Sequence, residues 1–222
     1  MLVLLPPSEG KTAARRGKPL DLGTLSFPEL TATRERVLDR LVDLATGEPE
    51  TLRTALGLSV RQTDEVARDA ALLTASTAVA GRVYSGVLYD ALDLATLDAP
   101  AKRRAQRSIV VSSALFGALR LGDRIPAYRL SGDTVLPGLG GLPAVWRDPL
   151  ATAMGAAAGR GLVVDLRSGA YAALWKPTGD VASRTVAVRV LQLMPDGSRA
   201  VVSHFNKATK GHIGFSRPEV MI

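Results

Sequence analysis

Short apolar runs bounded by turn residues alternate along this chain with longer stretches of helical periodicity. Met1–Leu5 is a continuous apolar run closed by Pro6 and Pro7, the pattern of a strand buried on both faces. From Pro28 to Ala45 the period changes: Leu30, Val37, Leu38, Leu41, Val42 and Ala45 share one stripe. Arg34, Glu35, Arg36, Asp39 and Arg40 form its wet side, and Gly47 ends the helix. A short helix is predicted over Pro49–Leu56, then a longer one capped by Ser59 and running to Thr74, its charges forming a solvated face. Asp90–Leu97 reads as a short helix, Ser108–Ser113 as a buried strand, and Pro143–Ala158 as a helix with proline in its first turn. Leu162–Leu166 is another strand, followed by a helical segment at Ala170–Trp175. Thr185–Met194 and Arg199–Phe205, joined by Pro195-Asp196-Gly197-Ser198, predict an antiparallel pair. Five strands interleaved with helices predict one α/β domain over residues 1–222: a mixed sheet surrounded by helices, with a basic cleft at the strand ends.

The densest polar chemistry follows the strand that opens SIVVSSALFGALRLGDRIPAYRL, Ser108–Leu130. Beyond Ser112 and Ser113 come Gly117, Arg120, Gly122, Asp123, Arg124, Pro126, Tyr128 and Arg129, read together as a turn-rich segment. Groups just past the carboxyl end of a central strand are where α/β proteins build sites. Other strand exits carry similar groups. Lys11 follows the first; Gly10-Lys11-Thr12 lacks the first glycine of a P-loop, because Leu5 stands in its place, so Lys11 is read as a single anion contact. Ser168 follows Leu162–Leu166. Lys207 and Lys210 follow the last strand, one helical turn apart. An amine beside other cations has a lowered pKa and can serve as a nucleophile or base near neutral pH. Lys207 is the candidate, with Lys210 and Arg129 as perturbing charges and Tyr128 or Ser168 carrying or orienting the proton. Exits on one sheet edge would gather Lys11, Ser112, Tyr128, Arg129, Ser168, Lys207 and Lys210 into one cleft, and Lys207 is expected beside Arg129 and Lys11. Leu136–Gly141 resembles the hairpin of a helix-hairpin-helix element, but Arg129–Val135 reads as a turn, so a plain glycine-rich loop is the simpler reading.

Composition narrows the classes. Twenty-eight Lys and Arg residues against 21 Asp and Glu give a formal charge of +7, which attracts polyanions. The densest basic cluster is Lys102, Arg103, Arg104 and Arg107, either a solvated face or a nonspecific phosphate patch. The chain has no cysteine, which excludes disulfides and thiol nucleophiles, and its two histidines are too few for a metal cage. No metal or cofactor is therefore expected. Aromatic residues make up 5% of the chain, which argues against a single-strand binder built on stacked rings. No apolar stretch reaches about twenty residues, so a cytoplasmic protein with no membrane contact is expected, with a monomer favoured.

Read in order, MLVLLPPSEGKT, Val83–Gly86, SSALFGALRLGDRIPAYRL, Val145–Leu150, Val163–Tyr171 and Val201–Gly211 resemble the YaaA family of peroxide-stress proteins across nearly the whole chain. The resemblance implies resistance to hydrogen peroxide, limitation of free iron, an unusual α/β fold and DNA binding in a positively charged cleft. It carries recurrent polar positions onto Lys11, Tyr84, Gly86, Arg120, Tyr128, Arg129, Ser168, Lys207 and Lys210. Lys210 stands where arginine is common, which keeps the charge without the planar fork. Family members also usually continue beyond the position of Pro218. Two functions follow as expectations. One is binding of double-stranded DNA, with Lys11, Arg120, Arg129, Lys210 and Ser112 on phosphates. The other is an enzyme on a phosphorylated nucleoside, cleaving an N-glycosyl bond through Lys207 with Tyr128 and Ser168.

Overall fold

The computed structural model describes residues 1–188, 191–193, 199–201 and 209–210. Its centre is a five-stranded sheet of β1 (Leu2–Leu5), β2 (Ile109–Ser113), β3 (Gly117–Leu119), β4 (Val163–Asp165) and β5 (Thr185–Ala187), in the order β3-β2-β1-β4-β5. Neighbours from β2 to β5 run parallel, and β3 folds back antiparallel on β2 with Ala118 opposite Ser112. Every residue of β1 and β2 is buried, as a strand covered on both faces requires. Around the sheet lie α1 (Thr31–Gly47), α2 (Pro49–Ala55), α3 (Thr63–Ala70), α4 (Val87–Leu92), α5 (Ala99–Ser108) and α6 (Leu142–Ala158), with α1 packed on α2 and α3. The fold is thus α/β with a mixed sheet flanked by helices. Among the described residues no helix is long and apolar enough to cross a membrane.

Several elements differ from expectation. The stretch after Ser113 contains a strand, β3, rather than turns alone. The predicted strand Thr185–Met194 is divided: β5 joins the central sheet in parallel, while Leu191–Leu193 pairs antiparallel with Arg199–Val201. The helix expected at Asp90–Leu97 is α4, which starts earlier, after Gly86, and stops at Asp93 in the left-handed region. Ser59 and Gln62 form a capping box on a 3-10 turn that precedes α3, and α3 ends at Ala70 rather than Thr74. Residues 135–141 form a tight two-residue β-pair, Val135–Leu136 with Gly140–Gly141, leading into α6, and no helix precedes it in Arg129–Val135.

The largest departure is Arg34, assigned to the wet side of α1 but fully buried. Its Nε donates to the Phe116 carbonyl at 3.0 Å, and its Nη2 donates to Ser26 O at 2.7 Å and Ala118 O at 2.9 Å. Burial lowers its pKa to about 10, with Asp123 and Glu29 opposing the shift. The guanidinium thus ties α1 to the β2–β3 turn. From the other side, Trp146 Nε1 donates to Ala114 O at 2.8 Å, and Ser113 Oγ accepts from the Phe116 N–H at 3.0 Å. Gly117 sits at φ 72° inside this turn, where a Cβ would lie 2.6 Å from the Trp146 ring. Only glycine suits both conditions. Gly117→Ala is expected to cost about 2–4 kcal/mol in urea unfolding, from backbone strain plus the ring clash. A loss under about 1 kcal/mol would show that Trp146 gives way freely.

Candidate functional site

The carboxyl ends of β1 and β4 open onto a cavity of about 620 Å³. Its lining comes from Pro6 to Lys11 after β1, from Ser85 to Tyr89, from Arg129 to Asp133, from Ser168 to Tyr171 after β4, and from Lys210. Three cations (Lys11, Arg129, Lys210) therefore share it with two carboxylates, Glu9 and Asp133, and with several serines.

Lys11 is fixed by backbone. It pairs as a β-bridge with Tyr84, the Thr12 N–H donates to Val83 O at 2.8 Å, and the Ser85 N–H donates to Ser8 Oγ at 3.0 Å. The Lys11 ammonium donates to Ser8 O at 3.0 Å and Glu9 O at 3.3 Å, and lies 4.3 Å from the centroid of the Tyr128 ring. Burial first, then the charge of Arg129, brings its pKa down to about 8, against the pull of Asp69 and Glu65. Two of its three donors are used on carbonyls, which leaves one for a ligand. The Arg129 guanidinium forms no hydrogen bond or ion pair with another described residue. Lys210 is buried; desolvation lowers its pKa while Asp165 opposes.

Behind Lys11 stands a buried hydroxyl network. Tyr128 and Tyr84 share a hydrogen bond of 3.0 Å between their hydroxyls, and Ser113 Oγ lies 2.8 Å from the Tyr128 hydroxyl. Desolvation raises both tyrosine pKa values well above the ordinary phenol. Asp69, on α3, is also fully buried. Its Oδ1 accepts the Arg129 N–H at 2.8 Å, its Oδ2 has no partner, and burial raises its pKa to about 8. The carboxyl thus positions the backbone that presents Arg129.

Of the residues singled out in the sequence, Lys11, Arg129, Ser168 and Lys210 converge on the cavity. Tyr128 is 1% exposed and forms the floor under Lys11 rather than a lining group, and Ser112 is buried within the sheet. Arg120 lies elsewhere: its Nη1 donates to Arg107 O and Ile109 O, at the amino end of β2, and its guanidinium stacks on Phe27. It is on the opposite edge of the sheet because β3 runs antiparallel and carries Arg120 away from the strand exits. Lys207 lies outside the described residues. Asp69 was missed; its signal was its place three residues after Val66, on the apolar stripe of α3. Arg167, beside Ser168, is committed to structure: it makes a two-point pair with Asp165 at 2.7 and 2.9 Å and also donates to the Trp175 and Tyr171 carbonyls. Among the described residues no group of three His, Cys, Asp or Glu could hold a metal ion.

The Asp69 carboxyl holds its proton up to about pH 8 in the folded chain, whereas an unfolded aspartate releases it near pH 4. Between those values the folded state binds the extra proton, so Asp69 makes stability fall as pH rises. Thermal melts at pH 5 and pH 8 are expected to show a larger loss for the wild type than for Asp69→Asn. Equal losses would mean that Asp69 is ionised throughout.

A family described as peroxide stress protein YaaA matches residues 1–214. A UPF0246 protein of Streptomyces coelicolor is 61% identical over 213 residues, spanning 96% of this chain and 81% of its own length. A UPF0246 protein of Corynebacterium efficiens is 45% identical over 217 residues, spanning 96% of this chain and 83% of its own. An uncharacterized protein of Campylobacter jejuni is 24% identical over 213 residues. The chain belongs to the peroxide stress protein YaaA family.

Proposed function

We propose that this protein serves the peroxide-stress response in the cytoplasm by binding DNA phosphates, with one nucleotide unit seated in the cavity. The observation that carries this reading is the convergence of Lys11, Arg129 and Lys210 beyond the carboxyl ends of parallel strands. Parallel sheets place anionic ligands there. The volume, about 620 Å³, falls among pockets for small organic ligands and suits one nucleotide rather than a length of duplex. The unused donors of Arg129 and Lys11 supply charge-assisted bonds to phosphate, and Tyr89, Leu88 and Tyr171 supply an apolar wall for a base.

A second reading keeps one observation of its own. With a pKa of about 8, Lys11 holds a share of neutral amine near pH 7, as an amine nucleophile must. Attack on a sugar C1′ would form a C–N bond while the glycosyl bond breaks, the base leaving with the electron pair and taking a proton. Opening of the sugar ring, with O4′ leaving C1′ and taking a proton, then gives the iminium that borohydride reduces; trapping of a covalent adduct on an oligonucleotide that still carries its bases, lost in Lys11→Arg, would support this reading, and no adduct leaves binding alone.

Binding is tested by anisotropy with a labelled oligonucleotide and with a nucleoside monophosphate. Affinity is expected to fall steeply from 50 to 200 mM salt, and Lys11→Met or Arg129→Gln to weaken it roughly tenfold, the worth of one charge-assisted bond. No binding at low salt, or unaffected variants, would sink the reading. The pH profile is a separate check. Lys11 is cationic below about pH 8, so phosphate affinity is expected to decline as pH rises from 7 to 9. Lys11→Arg, charged throughout, is expected to flatten that decline.

A further inference from the structure

The densest basic run of the chain is not in the cavity. Helix α5, APAKRRAQRS, ends where β2 begins, at the amino edge of the parallel strands, whereas the cavity is at their carboxyl edge. Ala105 is its buried residue, and Lys102, Arg103, Arg104 and Arg107 are all exposed. Arg103 and Arg107 are four residues apart and Arg104 and Arg107 three, so the three guanidinium groups share one face. Arg160, exposed just before β4, stands at the same edge.

What separates α5 from the other helices is the lack of any acid to answer these charges. Arg53 pairs with Glu50 and Arg68 with Glu65, each three residues away on its own helix, and Arg184 pairs with Asp180 four residues back. In α5 there is no Asp or Glu; Asp98, at its N-cap, is used on the Ala101 N–H. None of Arg103, Arg104, Arg107 and Arg160 makes an ion pair or side-chain hydrogen bond with another described residue. Like charges at this spacing cost a helix about 0.2–0.5 kcal/mol per pair. The fold nevertheless tethers the helix: Arg120 donates to Arg107 O and Ile109 O and so ties its carboxyl end to β2. A tethered helix that presents unanswered guanidinium groups on one face suits a row of phosphates.

We propose that α5, with Arg160, is a docking surface for the phosphate backbone of a nucleic-acid duplex, separate from the cavity. It reads charge and not bases, and it does not depend on the cavity reading. The test compares Arg103→Gln/Arg104→Gln/Arg107→Gln with the wild type on a labelled 20-base-pair duplex across a salt series. Each phosphate contact contributes about −0.9 to the slope of log K against log salt. The triple variant is therefore expected to bind with a slope shallower by about 2–3 and at least tenfold more weakly at about 100 mM salt. Its circular dichroism and melting temperature are expected to match the wild type, and its affinity for a nucleoside monophosphate to be unchanged. A wild-type slope in the triple variant overturns the proposal. So does a variant that loses binding to phosphatidylserine vesicles but keeps its duplex affinity. If Lys11→Met keeps its monophosphate affinity while the triple variant loses duplex affinity, the cavity reading falls and this surface stands.

Discussion

A buried guanidinium is costly to desolvate, and Arg34 offsets that cost by donating to three carbonyls at once. Two of those are Phe116 O, in the turn between β2 and β3, and Ala118 O, in β3 itself. A turn enclosed in the core has backbone groups that water cannot reach, so each needs a partner from the protein. Arg34 supplies donors from α1, Trp146 supplies one to Ala114 O from α6, and Ser113 Oγ accepts from the Phe116 N–H. Remove the guanidinium and α1 loses its anchor on the sheet edge, while the Phe116 and Ala118 carbonyls stay buried. The same turn permits no residue but glycine at position 117, because Trp146 fills the space of a side chain.

The site depends on this turn through one hydroxyl. Ser113, fixed by the turn, holds the Tyr128 hydroxyl, which holds that of Tyr84, whose backbone bridges Lys11. The Lys11 ammonium then rests on the Tyr128 ring. The tyrosines act as a rigid floor: their protons are held far above neutral pH by burial, so they set the height and direction of the amine instead of exchanging protons with a ligand. Asp69 plays the matching part on the other wall, where it takes up the Arg129 N–H and leaves the Arg129 side chain unengaged.

Much of this was legible from pattern. The apolar runs at Leu2–Leu5, Ile109–Ser113 and Val163–Asp165 are strands, and the parallel exits of the first and third place Lys11 and Ser168 on one edge, where Arg129 and Lys210 join them in the cavity. Two of the misreadings share a cause. Arg34 lies four residues after Leu30 and three before Val37, and Asp69 lies three after Val66; both sit on apolar stripes. Reading them by charge put them in water, while reading them by position would have put them inside. Arg120 was misplaced because a three-residue strand, β3, is too short to show a period, and its antiparallel course reverses the edge at which the next residue emerges. The division of Thr185–Met194 between two sheets likewise leaves no mark in an unbroken β-prone run.

Cations in this molecule separate into two kinds by how far their donors are used. Arg167 is buried with both carboxylate oxygens of Asp165 and two carbonyls around it, and Arg34 is enclosed by carbonyls with only its buried Nη1 left without a partner among the described residues. These hold the fold, and a ligand could reach them only by breaking it. Lys11 and Arg129 keep donors free while half-buried, in a place where low dielectric strengthens any bond they make. The α5 arginines keep theirs free in water, where each bond is weaker and screened by salt, and only several together hold a partner. The first pair therefore suits one tightly seated anion, and the second group suits an extended one. Both demands fall on a chain whose net charge of +7 already draws polyanions toward it. Placed at opposite edges of one sheet, the two groups compete neither for the same phosphate nor for the same stretch of backbone.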